Sequence, residues 1–288
     1  MSGLLSVPED ALMKLWQGLG YYSRARNLQK AARQIMSEFG GVFPNTYDGI
    51  RALAGVGDYT AGAVASIAFG IPAPAVDGNV LRVTARVTGD GGDITTPAMK
   101  KRVTARLAEI IPLDAPGTFN QAMMELGATV CLPNGAPLCQ RCPAAEFCRA
   151  RLEDRIGELP VKAAKKARRV EERTVFLIFH ENRVALRRRG DRGLLAGLWE
   201  YPNELAPAEH ALESWGIAPS RTGPAGTGKH IFTHIEWRMN ALTVETEGGD
   251  LPRGWVWADR GELARDYAVP HAFRSFEKTV LERLGYFE

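Results

Sequence analysis

Between residues 23 and 39 the apolar side chains Ala25, Leu28, Ala32, Ile35 and Phe39 recur at steps of three and four. That period places them on one stripe of an α-helix, and Gly40-Gly41 stops it. Similar runs predict helices at 11–18, 47–53, 60–69, 80–88, 97–110 and 119–129. Near residue 173 the period changes. Residues 174–180, 183–188, 231–238, 239–246 and 254–257 alternate in polarity or concentrate β-branched and aromatic residues, which predicts strands. Residues 208–215 and 273–284 read as helices among them. The fold class that follows is a mainly α-helical first half, residues 1–152, and an α+β second half, residues 173–288. A basic linker, 153–172, joins them.

The chain has 288 residues, 45% hydrophobic and 24% charged, a composition of soluble globular domains. No apolar run approaches the roughly eighteen residues of a membrane span, so no membrane partner is expected. A net charge of +3 says little, but its distribution is uneven. Lys162, Lys165, Lys166, Arg168, Arg169, Arg173, Arg183, Arg187, Arg188, Arg189 and Arg192 crowd one stretch. Such a stretch is either a solvated face or a surface for a phosphate backbone.

Cys131, Cys139, Cys142 and Cys148 are the only cysteines, spaced C-x7-C-x2-C-x5-C. Four soft thiolates this close suit a tetrahedral Zn2+ or an iron–sulfur cluster. Disulfides are the alternative, with no secretory segment to favour them.

Two further segments carry candidate chemistry. In LAGVGDYTAG, residues 53–62, Gly55 and Gly57 bracket Val56 between two predicted helices. Glycines let a ligand approach the backbone, and the following helix start directs N–H groups at it. A phosphate fits there, as does an ordinary turn. In AVDGNVLRV, residues 75–83, Asp77 precedes a helical run. It reads first as an N-cap. A fixed anion at a helix start also suits positive charge developing on a sugar.

These segments come in an order that resembles the helix-hairpin-helix DNA glycosylase superfamily, and within it the MutY-type adenine DNA glycosylases. LWQGLGYYSRARNL at 15–28, the glycine hairpin, VDGNV at 76–80, FNQAMMELG at 119–127 and the cysteine cluster carry the likeness. GLLAGLWEYP at 193–202 and FTH at 232–234 match the family's Nudix-like, or MutT-like, domain. The resemblance covers nearly the whole chain. It implies a glycosylase domain at 1–152 that includes an iron–sulfur loop at 131–148, and an 8-oxoguanine recognition domain at 173–288. It implies a [4Fe-4S] cluster on Cys131, Cys139, Cys142 and Cys148, although the family's usual first gap is one residue shorter.

The resemblance further implies a monomeric base-excision-repair enzyme. It would flip adenine from a duplex in which that base faces 8-oxoguanine or guanine, then hydrolyse the N-glycosidic bond. Asp77 would stabilise the sugar cation with Asn79 in support. Gly55, Val56 and Gly57 would hold phosphate, and Tyr21 would wedge beside the lesion pair unless it is a buried helix tyrosine. Phe232, Thr233 and His234 would contact the oxidised guanine, Thr233 replacing the serine common in bacterial members. Tyr59 stands where strand-cutting relatives place a Schiff-base lysine, so a monofunctional hydrolase is expected. No Nudix glutamate box is present, and His230 and His271 receive no role.

One departure is large. The family's base-protonating glutamate lies in a segment like S-E-x-M-L-Q-Q-T, absent from residues 1–288. The chain is therefore expected to be a fragment or to have a misassigned start, with poor activity as written. The alternatives are an endonuclease III-like glycosylase and a non-catalytic lesion-binding module. Composition and the lack of a targeting segment suggest a bacterial cytoplasm, at the nucleoid.

Overall fold

A computed structural model describes residues 2–164 and 167–285; Lys165 and Lys166 of the basic stretch lie outside them. The helices are α1 (Ser2–Ser6), α2 (Glu9–Leu15), α3 (Ser23–Glu38), α4 (Tyr47–Arg51), α5 (Asp58–Phe69), α6 (Gly78–Thr88), α7 (Pro97–Ile110), α8 (Pro116–Glu125), α9 (Arg149–Leu152), α10 (Ala211–Ser214), α11 (Arg260–Arg265) and α12 (Arg274–Arg283). The strands are β1 (Arg169–His180), β2 (Arg183–Arg188), β3 (Trp199–Glu200), β4 (Asn203–Leu205), β5 (Arg221–Ile231), β6 (Ile235–Glu245) and β7 (Trp255–Ala258). None of the described helices is long and apolar enough to cross a membrane.

The chain packs as two compact units: Asn27–Lys165, and Met1–Arg26 together with Lys166–Glu288. In the first, helical unit, polar caps set the helix starts. The Thr46 hydroxyl accepts from Gly49 N–H, Asp77 from Val80 N–H and Thr96 from Met99 N–H, each satisfying a donor that the first turn leaves unpaired. Gly70 and Gly89, both left-handed, end α5 and α6. Val80, Leu81 and Ala85 of α6 pack with Met99, Val103 and Leu107 of α7. The apolar run expected at 119–129 is α8 followed by a π-helical turn, Leu126–Val130.

The second unit is built on a seven-stranded sheet ordered β3-β2-β1-β6-β5, with β4 paired to β1 and β7 to β2. β1 runs parallel to β6, and the other pairs are antiparallel. Both faces of β1 are covered. Val175, Leu177 and Phe179 pack with Phe276 and Val280 of α12, while Phe176 and Ile178 pack with Ala211 and Ile217. This accounts for the unbroken apolar run at 175–179. The strand expected at 231–238 is divided: β5 ends at Ile231 and β6 begins at Ile235. Most of β5 escaped the pattern reading because glycines, and Pro224 beside a bulge, interrupt it.

The amino-terminal segment packs within this unit. Leu12, Met13, Tyr22 and Ala25 bury against Leu198 and Ala268, and Lys14 Nζ donates to the Leu263 and Tyr267 carbonyls. Packing thus divides the chain differently from the sequence reading, which runs the first domain unbroken from 1 to 152. Part of the basic stretch also turns inward: Arg173, Arg187 and Arg189 are ion-paired to Glu171, Glu200 and Glu204.

Candidate functional site

In the helical unit the candidate catalytic carboxylate is half-buried and tied at both oxygens. Asp77 Oδ1 accepts from Val80 N–H at 2.8 Å, and Oδ2 from Asn79 Nδ2 at 3.0 Å. Asn79 is itself oriented, its Oδ1 accepting from Arg82 Nη2 at 2.9 Å. Arg82 is 4% exposed, and it also donates to the carbonyls of Gly127 at 2.6 Å and Cys131 at 2.7 Å. Burial pulls its guanidinium below the usual range, against the pull of the Cys131 thiol and Asp77. The result is a hydrogen-bonded file from the cysteine loop to Asp77.

The segment before Asp77 is pinned to α5. A Cβ on Gly62 would meet Pro74 O at 2.2 Å, so only glycine allows that approach. Asn120, 1% exposed, donates to Ala73 O and Ser66 Oγ and accepts from Ala75 N–H. Gly127 sits against Asn79, where a Cβ would lie 2.5 Å from the Asn79 Cβ. Asn120, Gly127, Gly62 and Arg82 had no assigned role in the sequence reading. The available signals were an asparagine inside an apolar helical run, and two arginines, 82 and 86, four apart on the buried side of α6.

The hairpin lies at the other end of α5. Gly55 is left-handed, φ 76°, and Gly57 is the α5 N-cap without a side-chain partner. Gly55 and Gly57 are exposed, whereas Val56 donates its N–H to Leu53 O and packs its side chain inward. The amide of Val56 is therefore engaged in the turn. Tyr59, in the first turn of α5, donates its hydroxyl to Met124 Sδ at 3.4 Å.

All four cysteines line one small cavity with Arg86 and Arg151. Among the described residues, no group of three or more His, Cys, Asp or Glu side chains is placed to hold a metal ion, so what the four thiols share is a cavity and not a formed ligand set. Arg86, 6% exposed, donates to Leu159 O, Leu132 O and the Cys131 sulfur at 3.3 Å. Burial, then the neighbouring thiols, push the Cys139 thiol up. A buried guanidinium beside four thiols suits an anionic thiolate-bound group.

In the sheet unit, Tyr21, Phe232, Thr233 and His234 line one cavity of about 780 Å³. Tyr21 is 73% exposed with φ 49°, a strained conformation for a side chain of that bulk, and it is not the buried helix tyrosine. Arg24 lies over its ring at 5.6 Å. The 232–234 loop is closed by Phe232 N–H donating to Ile235 O, and by Arg169 N–H donating to His234 O. Phe232 packs on Trp237 and on His230, at 4.9 and 4.5 Å between ring centroids. Burial, then His271, holds His230 below its ordinary value. The side chains of Thr233 and His234 remain exposed.

Residues 1–112 match the family described as HhH-GPD superfamily base excision DNA repair protein, and residues 174–278 match the NUDIX domain. The chain is 34% identical to the adenine DNA glycosylase of Mus musculus over 96% of its own length and 65% of that protein's. Against the adenine DNA glycosylase of Arabidopsis thaliana the values are 39%, 88% and 46%. The chain thus spans less than two thirds of both relatives. Against that of Buchnera aphidicola subsp. Baizongia pistaciae (strain Bp) they are 34%, 84% and 69%. With a helix-hairpin-helix half, a Nudix half and this identity across both, the chain belongs to the adenine DNA glycosylase family.

Proposed function

We propose that this chain acts in base excision repair as the glycosylase that removes adenine paired with 8-oxoguanine or guanine, without cutting the strand. The observation that carries the reading is the carboxylate of Asp77, held at both oxygens by Val80 N–H and Asn79. A carboxylate fixed in this way stabilises positive charge as the C1′–N9 bond of the flipped nucleotide breaks. The electron pair of that bond leaves with adenine, which takes up a proton from solvent, and water then adds to the C1′ cation and gives a proton back to solvent. Asn79 and Arg82 position Asp77 and do not touch the sugar. The exposed Gly55–Gly57 turn offers duplex phosphate the start of α5.

Tyr59 supports hydrolysis alone, because a phenol cannot form the imine through which a lysine would cut the strand. Cys131, Cys139, Cys142 and Cys148 would hold a [4Fe-4S] cluster, with Arg82 and Arg86 as its nearby buried cations. When bound, the cluster would brace the loop whose Cys131 carbonyl holds Arg82.

The Tyr21, Phe232, Thr233 and His234 cavity is the proposed reader of the oxidised base. The protein is proposed to act as a monomer. Residues 1–288 contain no S-E-x-M-L-Q-Q-T segment. Loss of a general acid typically costs a factor of about 10² to 10⁴, so the isolated polypeptide should release adenine slowly. The test is single-turnover release from an adenine:8-oxoguanine duplex, read with and without alkali. Slow release that needs alkali to reveal the abasic site is the expected result; strand cleavage without alkali contradicts the hydrolase. Lesion binding with no release at all favours the second reading, a non-catalytic lesion-binding module.

A further inference from the structure

One wall of the Tyr21–Phe232 cavity is the 190–198 loop, which holds an unusual conformation. Gly193, Leu195 and Gly197 have φ of 92°, 56° and 67°. For leucine this region is strained, so something must fix the loop. Part of the answer is internal: Gly197 N–H donates to Gly190 O, Leu198 N–H to Leu195 O, and Arg189 Nε to Leu194 O. The rest comes from α3. Arg26 Nη2 donates to Ala196 O at 2.7 Å, and Arg26 Nε donates to Glu9 Oε1 at 2.6 Å. Its side chain is 23% exposed. A Cβ on Gly197 would stand 2.8 Å from Arg26 Nη2, so the glycine leaves the room the guanidinium occupies. Arg26 lies five residues after Tyr21, at the first turns of α3, and both line the cavity.

We infer that Arg26, set in place by Glu9 and admitted by Gly197, is a positioning residue for lesion recognition. It latches the strained 190–198 loop, so that the cavity facing Tyr21 and Phe232 has one shape and discriminates an oxidised purine from guanine. The inference rests on the proposed reading of this cavity as the 8-oxoguanine site. Lysine cannot replace Arg26. An ammonium can reach the carboxylate or the carbonyl, but lacks the planar fork that holds both in fixed geometry.

The test uses the full 1–288 chain and two duplexes, with 8-oxoguanine or guanine opposite a tetrahydrofuran abasic analogue. The preference is the ratio of the two dissociation constants. Arg26→Lys should reduce it about tenfold, the scale of one charge-assisted hydrogen bond, chiefly by weakening the 8-oxoguanine complex. Millimolar methylguanidine should restore part of the preference in Arg26→Ala. Gly197→Ala should lose a similar factor, and the double variant little more, because both remove one contact. Gly216→Ala controls for backbone strain: φ is 70° with nothing within 4 Å of the added Cβ, so its preference should match the unsubstituted chain. Hydrogen exchange at residues 190–198 should quicken in Arg26→Lys without DNA present. If the unsubstituted chain prefers 8-oxoguanine and Arg26→Lys keeps both that preference and its slow loop exchange, the latch is overturned while the cavity reading survives. If the unsubstituted chain shows no preference, the cavity reading falls and the latch falls with it.

Discussion

The two units bury charge in opposite ways. In the sheet unit the buried carboxylates meet opposite charges. Glu200, 1% exposed, is shared by Arg187 and Arg189, and Glu171 is held by Arg173 and the Trp237 indole N–H. Burial alone would raise the Glu171 carboxyl, yet these partners bring it below its ordinary value. In the helical unit, Arg82 and Arg86 are buried against carbonyls, an amide and a sulfur. The first arrangement neutralises itself and is structural. The second leaves positive charge beside four thiols and one file of bonds from Asp77. Location of uncompensated charge, more than the amount of charge, separates the helical unit from the sheet unit, and it is the mark of a functional site on which the proposed chemistry of the helical unit rests.

Breaking the neutral network should have the largest effect on stability. Glu200→Leu leaves Arg187 and Arg189 without their shared carboxylate and should cost about 3–5 kcal/mol, read as a lower denaturant midpoint for the sheet unit. Loss of less than about 1 kcal/mol would place that charge closer to solvent than its burial indicates. Next comes Asn120→Leu, which strands Ala75 N–H and Ala73 O in the core and should cost about 2–3 kcal/mol. Its effect on adenine release should exceed that of a matched core truncation such as Val103→Ala, because Asn120 pins the segment leading to Asp77.

Arg82→Met sharpens the contrast. It removes the orienting bond to Asn79 and the ties to Gly127 and Cys131, so release should slow by about tenfold or more, with faster loss of any bound cluster on dilution. Glu200→Leu should slow release only as far as it unfolds the protein. The smallest effect is a pH dependence. His230 is held below its ordinary value of 6.5. As pH falls through 6.5 the unfolded chain takes a proton that the folded chain resists, so sheet-unit stability should fall from there down to the lower folded value. His230→Gln should flatten that part of the profile of denaturant midpoint against pH.

Much of this was legible in the sequence because it depends on local rules. The Asp77 cap and the glycine turn are each fixed within a few residues and reappear in the structure, as does most of the α3 stripe, where Ala25, Ala32 and Ile35 are buried but Leu28 is exposed and Gln29 takes its place inside. What escaped depends on tertiary approach. Gly62, Gly117 and Gly127 look like ordinary helix glycines until Pro74, Ser66 and Asn79 are seen where a Cβ would fall. Arg173, Arg187 and Arg189 read as part of a basic face because their partners, Glu171, Glu200 and Glu204, are set by strand pairing and packing. The packing of residues 1–26 with the sheet unit was hidden for the same reason: no period or motif reports which surface an amphipathic segment will cover.

Asp77→Asn tests the central claim most directly. Asparagine keeps the cap to Val80 N–H but turns an amide N–H toward Asn79 Nδ2 in place of the acceptor there. Stability should therefore fall only by about 1 kcal/mol, the scale of one lost hydrogen bond, while the negative charge is removed. Single-turnover release from an adenine:8-oxoguanine duplex should then fall by a factor of about 10² to 10³, with DNA affinity little changed. Release at the rate of the unsubstituted chain would contradict the assignment of Asp77 as the group that stabilises the sugar cation.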